Sequence, residues 1–181
     1  GLVGARNLTA TISSPSSITQ TASVTITYGA AVALRVNSAT INANSGQVFA
    51  AQPVVTVVDV SGNKVDNSVA STDVSSSGQT LSTTTTVSAS SGTTTFTDLA
   101  LTGTVGTYTL TFASTGLTSA TASVVLSPGS AHHLSISASN SAANATALAS
   151  QPVVTIYDAS NNVVTSSTAL VSLSATGATI G

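Results

Sequence analysis

The chain contains no cysteine, no methionine and no tryptophan in 181 residues. The absence of cysteine excludes disulfides, thiolate chemistry and cysteine-ligated metal sites. Stability must therefore come from core packing and from backbone hydrogen bonds between strands. An extracellular location stays open, because a domain of roughly 100 residues can bury enough surface without disulfides.

Charge is equally scarce. Lys and Arg together number 3, Asp and Glu together number 5, and no glutamate is present. The charged fraction of 4% lies far below the roughly 25% of ordinary soluble domains. Nucleic acid and anionic lipid are therefore not expected as partners. No apolar run approaches the roughly 18 residues of a membrane helix, no signal-peptide pattern opens the chain, and we expect no membrane insertion.

Most of the remaining residues are Ser, Thr, Ala, Val and Gly. Small and β-branched side chains suit a pleated sheet better than a helix. Apolar and hydroxyl residues also alternate with a period of two, as in "TYTLTFAS" at residues 107–114 and "ASVTITY" at residues 22–28. This alternation is typical of half-buried strands. An all-β fold is predicted.

The most informative feature is an internal repeat of about 100 residues. The stretch "AAQPVVTVVD" at residues 50–59 returns as "ASQPVVTIYD" at residues 149–158. Three groups of residue pairs define the repeat. Four pairs are 99 residues apart: Gln52 and Gln151, Asp59 and Asp158, Asn63 and Asn162, and Gly78 and Gly177. Three pairs are 100 residues apart, Gly29 and Gly129, Ala31 and Ala131, and Leu34 and Leu134, and two pairs are 102 residues apart, Gly4 and Gly106, and Leu8 and Leu110. One-residue insertions in loops explain the drift.

These registers predict three segments. Residues 1–30 are the C-terminal part of one repeat, residues 31–129 are a complete repeat, and residues 130–181 are the N-terminal part of the next. The counterpart of residues 83–102 is missing between the two partial copies. We therefore expect a segment of a longer polypeptide, with a subunit of a strand-complemented filament as the alternative.

Seven strands are predicted in the complete repeat, at 32–37, 47–59, 64–74, 79–88, 93–101, 106–114 and 119–127. Seven short antiparallel strands in about 100 residues indicate an immunoglobulin-like β-sandwich. Tyr108 lies where a tyrosine corner would open the sixth strand. Arg6 occupies that position in the first copy, so the tyrosine is not repeated.

The segments "FAAQPVVTVVDVSGNKV" and "GTTTFTDLALTGTVGTYTLTFASTGLTSATASVVLSPGSA" resemble the tandem immunoglobulin-like repeats of large bacterial surface proteins and adhesins. The resemblance covers nearly the whole chain. It implies an extracellular array of tandem sandwiches, and it carries over no catalytic residue. The low charge and abundant hydroxyls fit secreted bacterial or archaeal repeat proteins.

Two sets of polar residues are candidate sites. His132 and His133 are the only histidines, and neighbouring residues of a regular strand point to opposite faces, so the two rings are not expected to chelate one ion. Asp59 and Asp158 follow a strand and precede "VSGN" and "ASNN". There a carboxylate accepts backbone N–H bonds in an Asx turn; a calcium site at a domain junction is the alternative.

Other motifs have weaker support. No serine, histidine and aspartate arrangement or carboxylate pair predicts catalysis, and no catalytic, cofactor or metal residue is assigned. The threonine runs at residues 82–88 and 92–97 could suggest ice binding, but strand propensity explains them. Asn7 and Asn144 fit the N-glycosylation pattern, which arises often by chance in Ser/Thr-rich chains.

The sequence thus predicts an extracellular structural repeat in the shaft of a surface fibre, stalk or giant adhesin. Its partners would be neighbouring immunoglobulin-like repeats of the same chain or adjacent subunits, and the short "SPG" connection at residues 127–129 predicts restricted swivelling. An adhesive or glycan-binding module is the alternative. It would require an exposed aromatic or acidic cluster that differs among copies.

Overall fold

The computed structural model describes residues 1–14, 17–82, 84–139, 141, 143 and 145–176. All regular secondary structure in this part of the chain is β-strand, which confirms the all-β prediction. The chain divides into two compact units, Gly1–Ser127 and Pro128–Gly181. Among the described residues, no helix has the length and apolarity to cross a membrane.

The first unit begins with a long hairpin of two strands, β1 (Gly4–Ile12) and β2 (Ile18–Ile26). A sandwich follows. Its strands are β3 (Ala33–Val36), β4 (Thr40–Asn44), β5 (Val54–Val58), β6 (Ser71–Ser76), β7 (Thr80–Leu81), β8 (Thr86–Ser88), β9 (Thr93–Thr95), β10 (Leu101–Thr102), β11 (Gly106–Ala113) and β12 (Ala120–Ser127).

The sandwich has two main sheets. One sheet has the strand order β4-β12-β11-β6-β8, the other has the order β3-β5-β9, and β10 pairs with β7. Inward-facing side chains from both sheets form one core, as expected for an immunoglobulin-like β-sandwich. The core residues with the least exposure are Val55, Val57, Leu99, Leu101, Leu110, Phe112 and Val124, each at 0%.

Two contacts join the layers inside this core. The rings of Phe96 and Phe112 lie 5.7 Å apart between centroids, tilted by 50°. The hydroxyls of Thr72 on β6 and Thr94 on β9 are 3.1 Å apart, and both residues are fully buried. This hydrogen bond connects one sheet with the other and satisfies two polar groups that burial would otherwise penalise.

The hydrogen bonds of Gln52 explain why the repeated motif "QPVV" begins with glutamine. Its amide nitrogen donates to the carbonyls of Phe49 and Leu99, and its amide oxygen accepts from the Leu99 N–H. The Gln52 side chain thus adds to the backbone hydrogen bond from the Phe49 N–H to the Leu99 carbonyl in joining these two segments. Pro53, which follows it, cannot donate to a ladder and stands immediately before β5.

The second unit begins with a pair of strands that corresponds to β3 and β5 of the sandwich. Its strands are β13 (His133–Ser137) and β14 (Val153–Tyr157). They pair antiparallel with Leu134 opposite Ile156, as β3 and β5 pair with Leu34 opposite Val57. The repeat spacing therefore preserves strand register as well as residue type.

The strand predictions were right in position for the first, sixth and seventh predicted strands but needed correction elsewhere. The predicted strand at 47–59 is regular only from Val54, and the predicted strands at 64–74, 79–88 and 93–101 are shorter or divided. Strand β4 was missed, because "TINAN" is short and is flanked by Ser and Asn. It pairs in parallel with β12, so the prediction that all strands are antiparallel was wrong.

The tyrosine corner is present. Tyr108 donates from its hydroxyl to the carbonyl of Thr104, four residues upstream, at 2.9 Å. In the hairpin, Arg6 donates from its guanidinium to the carbonyl of Leu2, also four residues upstream, at 3.3 Å. The tyrosine is replaced in the first copy, but a side-chain hydrogen bond to the carbonyl four residues upstream is kept.

Candidate functional site

A buried aspartate holds the chain at the entry to the sandwich. Asp59 follows β5 directly and is only 5% exposed. One carboxylate oxygen accepts the N–H groups of Ser61 and Asn63, each at 2.9 Å. The other accepts the N–H of Gly29 at 2.9 Å and the side-chain amide of Asn63 at 3.0 Å. We call Asp59, Asn63 and Gly29 the first latch.

Local chemistry explains why the latch forms here. Aspartate accepts hydrogen bonds from backbone N–H groups that follow it, which makes a tight turn favourable. The turn closes with the Asp59 N–H donating to the Asn63 carbonyl at 2.9 Å. Gly62 has a φ of 79°, a left-handed conformation that glycine adopts without a steric penalty. The predicted Asx turn is therefore confirmed at Asp59.

The second unit builds the same arrangement from Asp158, Asn162 and Gly129, which we call the second latch. Asp158 is 2% exposed. Its carboxylate accepts the Gly129 N–H and the Asn162 amide, each at 2.8 Å, as well as the Asn162 N–H at 2.9 Å. Asn161 takes the place of Gly62 and has a φ of 63°. Asparagine is one of the few other residues that tolerate this conformation.

The hydrogen bonds also fix the charge state of both aspartates. The Gly29 N–H and then the Asn63 side chain lower the pKa of Asp59 from 3.8 to about 2, against the opposing effect of burial. Burial raises the pKa of Asp158, but the Asn162 side chain and the Gly129 N–H outweigh it, so that this pKa is also below its usual value. Both carboxyls are ionised at neutral pH.

The latch geometry favours a structural role over the calcium alternative. Both oxygens of Asp59 already accept N–H groups at about 3 Å, and a cation would have to displace these donors. Calcium takes roughly six to eight oxygen ligands. Among the described residues, no group of three or more His, Cys, Asp or Glu side chains gathers where it could hold a metal ion.

The prediction for the two histidines was wrong in its geometry. Their Nδ1 atoms lie 3.4 Å apart, so the rings converge instead of pointing to opposite faces. The reason is that β13 begins at His133, and His132 precedes the regular strand in which side chains alternate. His132 still extends the pairing, since its N–H donates to the Tyr157 carbonyl at 2.7 Å.

The ring of His133 stacks on Tyr157, with centroids 5.4 Å apart and planes 13° from parallel. This aromatic group borders a surface cleft of about 150 Å³. The cleft is lined by Ala131, His132, His133, Leu134, Ile156 and Ala169. In the complete repeat the corresponding positions are Val32, Ala33 and Val58, so the aromatic group belongs to the second unit alone.

The other candidate motifs, the two possible glycosylation sequences and the threonine runs, do not lie together in one site. Asn7 is exposed on β1, whereas Asn144 lies outside the described residues, as do Gly177 and Gly181. The threonine runs contribute to β8 and β9. Thr94 points into the core, and Thr84 donates to Asp98 at 3.1 Å.

Sequence reasoning missed two functional contacts, those of Gly29 and Gln52. Both residues were recognised only as repeat markers. The available signal was that Gly29 and Gln52 recur as Gly129 and Gln151. Residues that recur together with an aspartate are candidates for hydrogen bonds that each repeat needs. The pairing itself spans 30 residues for Gly29 and Asp59, and local sequence patterns do not report such a distance.

No protein-family model and no curated protein matches the chain. Solved structures do match it. A glycosyl hydrolase family 2 member from Bacteroides cellulosilyticus is 14% identical with a TM-score of 0.47, over 70% of this chain and 18% of that one. The Parabacteroides merdae β-glucuronidase is 14% identical, with a TM-score of 0.43 over 69% and 16%. Domains 1–6 of the surface layer protein SbsC are 20% identical, with a TM-score of 0.42 over 90% and 20%.

The chain thus spans about a fifth or less of the length of each of these proteins. At these values the likeness assigns no activity, substrate or partner to the chain.

Proposed function

We propose that the chain is an extracellular structural repeat that forms part of the shaft of a surface fibre, stalk or giant adhesin. The observation that carries this proposal is the duplication of the latch. The two latches use the same residue types, the same donors and nearly the same distances. A feature rebuilt at the start of each repeat serves the repeat as a unit of construction.

The latch has a mechanical consequence. A pull on the chain from the N-terminal side reaches Gly29 before it reaches β3. The buried hydrogen bonds between Gly29, Asp59 and Asn63 must break before the load is transferred to the β3–β5 ladder. Hydrogen bonds to an ionised group are stronger than neutral ones. The entry to each repeat is thus reinforced where a shaft under tension would need it.

The surface composition supports the same role. With three Lys and Arg residues and five Asp residues in the chain, the surface attracts few charged partners. Catalysis is not proposed, because the two buried aspartates of the described residues, Asp59 and Asp158, are engaged by the backbone and amide N–H groups of the latches.

Single-molecule pulling on the protein from its two ends tests the mechanical part. We expect the sandwich to unfold in one event that releases about 95 residues, or roughly 320 Å of extended chain. The variant Gly29→Pro removes the donating N–H and should lower the unfolding force, whereas the control Gly29→Ala keeps the N–H. The role is overturned if the sandwich extends at the force that opens an isolated hairpin.

Labelling intact producing cells with an antibody against the protein tests the location. Surface labelling that protease treatment of the cells removes is the expected result. Labelling that requires lysis of the cells would contradict the extracellular shaft, whatever the mechanical result.

A second candidate function, adhesion through a glycan or other small ring-bearing ligand, is favoured by the aromatic group at His133 and Tyr157. It is exposed at His133, differs between the copies, and borders the cleft described above. The cleft is smaller than the roughly 300–1,000 Å³ of most ligand pockets and would hold a single ring. Binding on a glycan array that Tyr157→Ala abolishes would support this function; equal binding by both proteins, or none, would refute it.

A further inference from the structure

Two ring nitrogens meet at the start of the second unit, those of His132 and His133. Their Nδ1 atoms are 3.4 Å apart, which is longer than the roughly 2.7–3.2 Å of most N–H hydrogen bonds. The ring planes are 81° apart, so the rings meet at their Nδ1 edges without stacking on each other. Both side chains are exposed. We call these two residues the histidine pair.

The separation of the two nitrogens matches that of two ligands on a tetrahedral metal ion. Zinc binds imidazole nitrogen at about 2.0–2.1 Å in tetrahedral geometry, which places two such nitrogens roughly 3.3–3.4 Å apart. Neighbouring ligands of a square-planar copper(II) or nickel(II) ion would be roughly 2.8 Å apart. Calcium and magnesium select oxygen ligands. The geometry of the histidine pair therefore favours zinc, with each ring proton on Nε2 and both Nδ1 lone pairs free to bind.

Contacts with β14 hold both histidines in place before any ion binds. The His132 N–H donates to the Tyr157 carbonyl at 2.7 Å, and His133 lies opposite Tyr157 in the β13–β14 pair. The ring of His133 also stacks on the ring of Tyr157. Just upstream, the second latch ties Gly129 to Asp158. Ligands that are already positioned lose less conformational entropy when they bind.

The two positions are accessible in the complete repeat as well. Val32 takes the place of His132 there and is 40% exposed. Ala33 takes the place of His133 and is partly exposed. The accessibility of the histidine pair is therefore a property of this part of the repeat. Because Val32 and Ala33 have no metal-binding atoms, a metal site here would distinguish one copy from the other.

We propose that the histidine pair is a zinc site, in which the two Nδ1 atoms bind one ion as a chelate. In the part of the chain that the structure describes, no group of three His, Cys, Asp or Glu side chains forms around it. Water would fill the remaining positions, so the ion is exchangeable, unlike the zinc of closed sites with four protein ligands. Tyr157 is a positioning residue, because it contacts the His133 ring and not the ion.

Nuclear magnetic resonance of the full chain, carrying no affinity tag, during a titration with zinc chloride tests the chelate directly. The chain has only two histidines, so their ring C–H signals can be followed without interference from others. We expect both sets of signals to change together and to reach their end point at one zinc ion per chain. Calcium chloride should leave both sets unchanged. Ring signals that do not respond to zinc, or that respond at different zinc concentrations, overturn the proposal.

Two single substitutions distinguish a chelate from two independent ligands. His132→Gln and His133→Gln each remove one ring and leave the other in place. Either variant should need more than about tenfold more zinc for half-saturation, a loss that even the removal of a residue behind a metal ligand causes. If either variant keeps the zinc affinity of the unsubstituted chain, the two rings bind zinc separately and the proposal is overturned.

Substitutions of Tyr157 supply the matched comparison. Tyr157→Phe keeps a ring against His133 and should bind zinc as the unsubstituted chain does, whereas Tyr157→Ala removes the stacked ring and should weaken binding. Equal zinc affinities of these two variants would refute the positioning role. The backbone N–H signals of β13 and β14 without zinc show that each variant is still folded. None of these outcomes depends on the shaft role, so the zinc site and that role fail separately.

Discussion

The sandwich and the C-terminal unit carry the same sequence pattern, yet only the sandwich buries it. The strand pairs β3–β5 and β13–β14 have the same register. The corresponding hydrogen bonds of the two latches differ in length by at most about 0.2 Å. Leu34 is nevertheless 6% exposed and Leu134 is 55% exposed. The comparison separates two contributions to the fold. Strand register and the latch are encoded within half a repeat, whereas burial requires both halves.

Gln52 and Gln151 show the same division in a single side chain. Each donates to the carbonyl three residues before it. Gln52 also makes two hydrogen bonds to Leu99, a residue with no counterpart among the described residues of the second unit. The repeated glutamine has one local contact that forms in both units and one distant contact that forms only in the complete repeat.

The largest expected difference between complete and partial repeats lies in the core. Leu110→Ala should lower the free energy of unfolding by about 2–5 kcal/mol, because it removes a fully buried side chain and leaves a cavity. Leu8→Ala at the equivalent exposed position should change it by less than about 0.5 kcal/mol. Urea unfolding of the two variants measures both losses. Equal losses would show that Leu8 contributes as much to stability as the buried Leu110.

A smaller difference is expected for the glutamines. Gln52→Leu removes the hydrogen bonds of the Gln52 side chain to the Leu99 N–H and to the Phe49 carbonyl, whereas the Leu99 carbonyl keeps the Phe49 N–H. The substitution should cost about 1–3 kcal/mol. Gln151→Leu removes one exposed contact and should cost less than about 0.5 kcal/mol. The same unfolding measurement applies. If the two substitutions were equivalent, the bonds to Leu99 would contribute nothing.

The latches predict a specific response to acid. A carboxyl whose pKa is lowered on folding stabilises the folded state above its ordinary pKa, and this contribution is lost as the pH falls from 3.8 towards about 2. The melting temperature should therefore be flat near neutral pH and fall across that window. Asp59→Asn should lower it at neutral pH, because an amide N–H would face the Gly29 and Asn63 donors, and should make the acid decline shallower.

The matched control for this titration is Asp66→Asn. Asp66 pairs with Lys64 at the surface, where both side chains are about half exposed. Surface pairs contribute little, so the control should retain the acid decline of the unsubstituted protein. A decline that persists unchanged in Asp59→Asn would locate the acid sensitivity outside the first latch.

The smallest expected effect is at Gly62. Gly62→Ala should cost about 1 kcal/mol, because a side chain is strained at a positive φ. Gly62→Asn should cost less, since Asn161 occupies the equivalent position of the second latch at a φ of 63°. Thermal unfolding of the two variants compares them directly. A larger loss for asparagine would indicate that the two turns are not interchangeable.

The part of the fold that could be predicted is the part with local sequence signals. Alternation identified β11 and β12, and the repeated aspartates identified the Asx turns. Strand β4 could not be identified, because Thr40–Asn44 is stabilised by pairing with β12, which follows more than 70 residues later. The latch donor Gly29 was missed for the same reason. The two histidine rings were placed wrongly because the start of β13 could not be fixed to one residue.

The parallel pairing of β4 with β12 has a consequence for synthesis. A ribosome adds roughly 5–20 residues per second, so Thr40 waits several seconds for the strand that lies beside it. Until β12 is made, β4 has no neighbouring strand in the five-stranded sheet. That sheet is therefore completed only when the last strand of the repeat has been synthesised.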